Sequence, residues 1–170
     1  MDNKWLAVSA FIGYFILFCL ACTIVSAHHT KLDPIKHYIK QNEGYSNIVY
    51  EDIFGNLTVG YGHKLYNSVY ERFDKVTDTQ IQRWFESDFN TALTCARRYL
   101  NNDYDQKELL VITDMAFNLG CRGLNEFELL RNHINNKNYI MASKAIRYSN
   151  YYKQLENRAD RNIRKLLNLR

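Results

Sequence analysis

The sequence predicts an α+β fold, a small antiparallel sheet near the start of a domain that is otherwise helical. Three observations point there. Apolar and polar residues alternate through "NIVYEDIFGNLTVGYG" around the turn pair Gly55-Asn56, which is a hairpin pattern of two short strands. From Thr77 onward the apolar residues recur with helical period instead. One proline, Pro34, occurs in the whole chain, and no Gly/Ser-rich or Pro-rich stretch reads as a linker.

The N-terminal segment belongs to a separate class. Trp5 to Ala27 is a run of 23 residues without Asp, Glu, Lys or Arg, and about 20 apolar residues suffice to span a bilayer. Residues 1–27 are therefore expected to be a signal anchor or, with "VSA" at Val25 to Ala27 as the cleavage pattern, a signal peptide. Either version exports residues 28–170, to the periplasmic side of the inner membrane or beyond it. Those residues form one domain, large enough to bury about two-thirds of its unfolded surface.

The elements follow in order. "LDPIKHYIKQN" is a short helix with Asp33 at its N-cap, Pro34 in the first helical position, and Glu43 and Gly44 at its end. The hairpin comes next. A long helix starts at Thr77, with Gln80 completing a capping-box pattern, and lays Ile81, Trp84, Phe85, Phe89, Ala92, Leu93 and Ala96 on one face. Another, in "DQKELLVITDMAFNLGCRGLNEFELLRNHI", breaks near Gly120 and Gly123 and gives way to a shorter one. "YIMASKAIRYSN" and "NRADRNIRKLLNL" are the last two helices.

Charge is uneven. Residues 140–170 carry 8 Lys/Arg against 2 Asp/Glu, while residues 28–139 carry 13 against 15. The C-terminal excess suits either a solvated helical face or an anionic surface such as cell-wall polymer. No zinc spacing and no aromatic RNA-binding strand is present, so nucleic acid is not an expected partner. Cys95 and Cys121 are either a disulfide of an exported domain or two buried thiols.

Glu43 and Asp52 carry the chemistry. Glu43 falls at a helix C-terminus, where the dipole and neighbouring apolar residues disfavour its charge. Asp52 lies nine residues on, in a hairpin strand beside Asn56 and Thr58, where it stays ionised. Two carboxyls in unlike environments are what acid/base cleavage of a glycosidic bond requires, although spacing alone does not raise the pair above chance.

The full pattern Glu-x8-Asp-x5-Thr followed by "VGYGH" resembles the phage-type lysozymes, the muramidase endolysins, and the resemblance extends over nearly all of residues 32–170. It implies a lysozyme-like fold and hydrolysis of the β-1,4 bond between N-acetylmuramic acid and N-acetylglucosamine, with inversion, by a monomer needing no metal or cofactor. It implies Glu43 as general acid, Asp52 as the carboxylate that positions or activates water, and Thr58 as a hydroxyl helping to hold that water. Gly60 and Gly62 would let the glycan strand approach the backbone. Asn118 of "AFNLG" and Asn157 and Arg158 of "NRA" would be sugar contacts, with Arg158 also pairing with Glu43. The chain departs from the family at "FELLRNH", where small hydroxyl residues are usual after the equivalent of Phe127. His63 is expected to brace the structure against Asp88, and the Trp84, Phe85 and Phe89 stripe to be core. The rival reading is a non-catalytic wall-binding or membrane-anchored protein of the same fold.

Overall fold

The computed structural model describes residues 32–66 and 69–169. The expected anchor or signal peptide over residues 1–27 lies outside them. Among the described residues no helix is long and apolar enough to cross a membrane. By its contacts the chain divides into two units, Met1–Ile35 and Lys36–Arg170, and among the described residues the second holds the sheet and all helical residues but the start of the first helix.

The first helix, α1, covers 32–43. It is already formed at residue 32, so Asp33 lies inside it rather than at its cap. Gly44 ends it as expected, at φ 73°, its N–H reaching back to the Lys40 carbonyl at 3.2 Å.

A three-stranded antiparallel sheet comes after it: β1 (Ser46–Glu51), β2 (Leu57–Gly60) and β3 (His63–Lys64), in that order. Only the first two were expected. The third exists because Gly60 and Gly62 both take positive φ (69° and 85°) and turn the chain back, so that Val59 pairs with His63 and Thr58 with Lys64. The first hairpin also differs from its expected form. Glu51 pairs with Leu57, which leaves residues 52–56 as a five-residue loop instead of a two-residue turn at Gly55-Asn56. Asp52 is therefore in the loop and not in the strand.

Val49, Val59, Val76 and Ile81 form the small core beneath the sheet, with Trp84 packed against its edge. Gly60 belongs to that core. A Cβ on it would sit 2.6 Å from Ile81 Cγ2, so its bareness lets β2 close on a helix and not on a glycan. Gly60→Ala is expected to destabilise the fold by roughly 1–3 kcal/mol, from overpacking plus a left-handed backbone. A chemical-denaturation midpoint matching wild type would contradict this.

The helical part comprises α2 (Asp78–Tyr99), α3 (Gln106–Asn125), α4 (Glu128–Asn135), α5 (Tyr139–Arg147), α6 (Asn150–Gln154) and α7 (Glu156–Leu166). Thr77 caps α2, accepting from Gln80 N, and the expected face of α2 is inward: Ile81, Phe85, Phe89, Ala92, Leu93 and Ala96 are all buried. Trp84 is only half-buried. A full capping box opens α3, where Asp105 accepts from Glu108 N at 2.9 Å and Glu108 Oε2 accepts from Asp105 N at 2.7 Å. The break in α3 is at Gly120 alone (φ 70°, ψ 171°); Gly123 continues the helix. The five-residue α6 was not expected, being too short to show a helical period.

Candidate active site

Between the sheet and the helices α2 and α3 lies a cleft of about 830 Å³, lined on one side by Asp52, Gly62 and Lys64 and on the other by Ala92, Phe117 and Asn118, with Glu43 among its walls. Glu43 and Asp52 are placed there by local devices, whereas Thr58 and Arg158 are buried and not among the lining residues, so Arg158 meets Glu43 from behind and not the sugar.

Glu43 is the last residue of α1, and its side chain is 15% exposed. Oε1 is sealed from solvent, with Arg158 Nη1 at 2.6 Å. This contact is a close ion pair between a buried carboxylate oxygen and the guanidinium. A Cβ on Gly62 would lie 3.7 Å from Oε2, so the second oxygen faces the hairpin side. Burial pushes the Glu43 carboxyl above its ordinary value; Arg158 pulls the other way without cancelling it, and Asp114 adds to the rise.

Arg158 is 5% exposed on α7 and shared between two carboxylates. Its Nε donates to Asp114 Oδ2 at 3.0 Å and its Nη2 to Asp114 Oδ1 at 2.8 Å, the bidentate fork that arginine geometry favours. Burial works against its charge, but Asp114 and then Glu43 more than offset that, so the guanidinium stays protonated. Asp114 is fully buried and also accepts from Asn42 Nδ2 and Asn162 Nδ2, both at 2.9 Å. Asn162 in turn accepts from the Tyr38 hydroxyl at 2.9 Å. The acid is thus backed by a connected polar core joining α1, α3 and α7.

Asp52 is arranged oppositely. Its Oδ1 accepts from Phe54 N at 2.9 Å and Asn56 N at 2.8 Å, and Asn56 Nδ2 reaches both oxygens at 3.1 and 3.0 Å. Such a carboxylate organises its own loop. Those bonds, the one from the Asn56 backbone foremost, draw Asp52 down to about 2. Thr58 is buried, and its hydroxyl donates to the Asn56 carbonyl at 3.0 Å, so Asn56 ties Asp52 to Thr58.

The remaining expected residues divide. Gly62 and Asn118 line the cleft and are exposed. Asn157 does not line it. Adjacent residues of a helix point about 100° apart, so with Arg158 turned inward Asn157 faces solvent. Cys95 and Cys121 are joined, their Cα atoms 5.4 Å apart, at the edge of the cleft. His63 Nδ1 lies 2.8 Å from Asp88 Oδ2 and its ring stacks on Trp84 at 4.8 Å, a brace between sheet and helix.

Sequence reasoning missed Asp114, Asn162, Asn56 and Lys64. For Asp114 a signal exists: a carboxylate within "LLVITDMAF", on the apolar side of its helix, needs a buried cation. Asn56 reads in the sequence as a turn residue and a polar neighbour of Asp52, not as the donor that grips both of its oxygens.

The geometry agrees with two comparisons. No curated protein sequence matches the chain. Among solved structures, the chain is similar to an endolysin from Escherichia coli O157:H7 phage FAHEc1, with a TM-score of 0.68 at 20% identity, covering 79% of this chain and 91% of that one. At that identity the likeness speaks for the lysozyme-like fold. The phage lysozyme family matches residues 40–167, from the helix that ends in Glu43 through α7. With the match spanning most of the sequence, the chain belongs to the phage lysozyme family.

Proposed function

We propose that the cleft hydrolyses the β-1,4 bond between N-acetylmuramic acid and N-acetylglucosamine in peptidoglycan, with Glu43 as the acid and Asp52 as the carboxylate that handles water. Membership of the phage lysozyme family makes the chain a glycoside hydrolase of the cell wall. The observation that carries the assignment of roles is the opposite displacement of two carboxyls in one cleft, Glu43 raised by burial and Asp52 lowered by the bonds it accepts.

The roles come from the surroundings. With Oε1 sealed against Arg158, the proton that reaches the glycosidic oxygen is carried by Oε2. As the bond breaks, Glu43 becomes an anion, and Arg158 is already beside it to stabilise that charge. Asp52, held at about 2, is a weak base and a permanent anion. It orients water toward the anomeric carbon and opposes the positive charge that develops there. The Thr58 hydroxyl donates its hydrogen bond to the Asn56 carbonyl, which leaves its lone pairs to accept from the water. Gly62 and Asn118 contact the sugar chain, and no metal or cofactor takes part. The uncharged run Trp5–Ala27 supports export, with the domain tethered to the periplasmic side of the inner membrane or released, and acting as a monomer.

The pH profile tests the pairing. Activity needs Asp52 ionised and Glu43 protonated, so the rate is expected to be bell-shaped. Its acid limb belongs to Asp52, below the ordinary carboxylate range, and its basic limb to Glu43, above it. An acid limb at the ordinary aspartate value would contradict the Asp52 assignment. The product formed first on purified peptidoglycan reports the stereochemistry by proton NMR: α-anomer supports inversion, whereas β-anomer makes Asp52 a nucleophile. Wall binding without release of reducing ends would favour the non-catalytic rival.

A further inference from the structure

Among the described residues that line the cleft, Lys64 alone is a lysine or arginine. It is the second residue of β3 and the direct cross-strand partner of Thr58. Its Nζ lies 3.3 Å from Asp52 Oδ2 and 5.8 Å from the centre of the Phe54 ring, so one side chain meets the loop at its first and third residues. Asn56 grips the Asp52 carboxylate from within the loop; Lys64 approaches the same carboxylate from outside it, across the sheet.

We propose that Lys64 is a positioning residue for the hydrolysis, clamping the Asp52 carboxylate in one orientation so that its charge is aimed at the anomeric carbon. The proposal rests on the reading of Asp52 as the water-handling carboxylate. Three features support it. The strand register fixes where the lysine stem starts, because β3 is pinned to β2 by Thr58 with Lys64 and Val59 with His63. Contact with the exposed Phe54 ring restrains the stem further, as a cation lying near an aromatic face. The ammonium also sets a positive charge 3.3 Å from a carboxylate whose cleft holds further titratable groups. Those groups are Glu43 of α1, Tyr50 and Glu51 of β1, and Asp88 of α2, with His63 of β3 paired to Asp88. Without Lys64, the Asp52 charge is left to the loop's neutral donors alone.

Such a part-exposed pair does little for stability, and its effect is to be sought in the rate. The experiment compares wild type, Lys64→Met and Lys64→Arg on purified peptidoglycan across pH, with thermal unfolding as the control for folding. Lys64→Met is expected to lower kcat about three- to tenfold through misorientation, with KM within about twofold of wild type. Its acid limb is expected to move up by roughly half a pH unit, the size that such a pair supplies. Lys64→Arg restores both, and added salt narrows the gap between wild type and Lys64→Met. An unchanged kcat and acid limb in Lys64→Met overturns the proposal, as does a raised KM at constant kcat, which would make Lys64 a sugar contact. Asp52→Asn with wild-type kcat removes the parent reading and this proposal with it. An inactive Asp52→Asn beside a fully active Lys64→Met removes only this one.

Discussion

Glu43→Gln is expected to lower kcat about 10²–10⁴-fold, the range over which a positioned general acid contributes, and to make the protein more stable at neutral pH. The second effect comes from linkage. The folded-state value of Glu43 lies above its ordinary 4.5, so the folded protein holds this proton more tightly than the unfolded chain does. Stability is therefore greatest where both states are protonated, falls as pH climbs from the ordinary value through the raised one, and stays lower above it. Glutamine never ionises and escapes that loss. The gain is expected at neutral pH and absent below the ordinary carboxylate range. Denaturation midpoints at the two pH values, beside release of reducing ends, check both claims. A variant less stable than wild type at neutral pH would mean that the Arg158 ion pair outweighs the cost of burying the charge.

Arg158→Met carries the largest expected loss of stability. The fully buried Asp114 would lose its bidentate partner and the sealed oxygen of Glu43 its counter-ion. Stranding a buried charge in this way costs about 3–5 kcal/mol, a drop in melting temperature of roughly 10 °C or more for a chain of this size. Removing the partner charge as well is the discriminating control. Arg158→Met with Asp114→Asn keeps an acceptor for Asn162 and leaves no stranded anion at 114, so it is expected to recover a good part of the loss. In both variants Glu43 lacks its cation, and any remaining activity should show a basic limb at higher pH than wild type. An Arg158→Met protein as stable as wild type would show that the fork to Asp114 contributes nothing net.

How much of the fold and the site is legible in the sequence depends on the range of the interaction. The inward face of α2 is legible because Ile81, Phe85 and Phe89 repeat at the period that the helix itself imposes. Glu43 at a helix end is legible because Gly44 is a stop with a local cause. The loop that holds Asp52 is not, since its shape comes from the Asp52 carboxylate bonding to Phe54 and Asn56, and a hairpin pattern does not state loop length. Gly60 shows a different limit. A bare backbone announces that something comes close, and the sequence does not say whether that is a sugar or, as found, Ile81. Asp114 and Arg158 are 44 positions apart. Their pairing leaves no periodic trace, only an acid in an apolar stretch that has to be answered from elsewhere in the chain.

The polar core behind Glu43 has a bearing on the order of synthesis. Its members come from opposite ends of the folded unit: Tyr38 meets Asn162 across 124 positions, and Asn42 meets Arg161 across 119. A ribosome-bound chain that stops short of α7 already carries Glu43, Asp52 and the whole hairpin, yet lacks the guanidinium that holds the acid in place. Such a chain is expected to be inactive until α7 is made. Trimming into α7 takes Ile163 and Leu166 from the core as well as Arg158 from the acid, so activity and folding should be lost together.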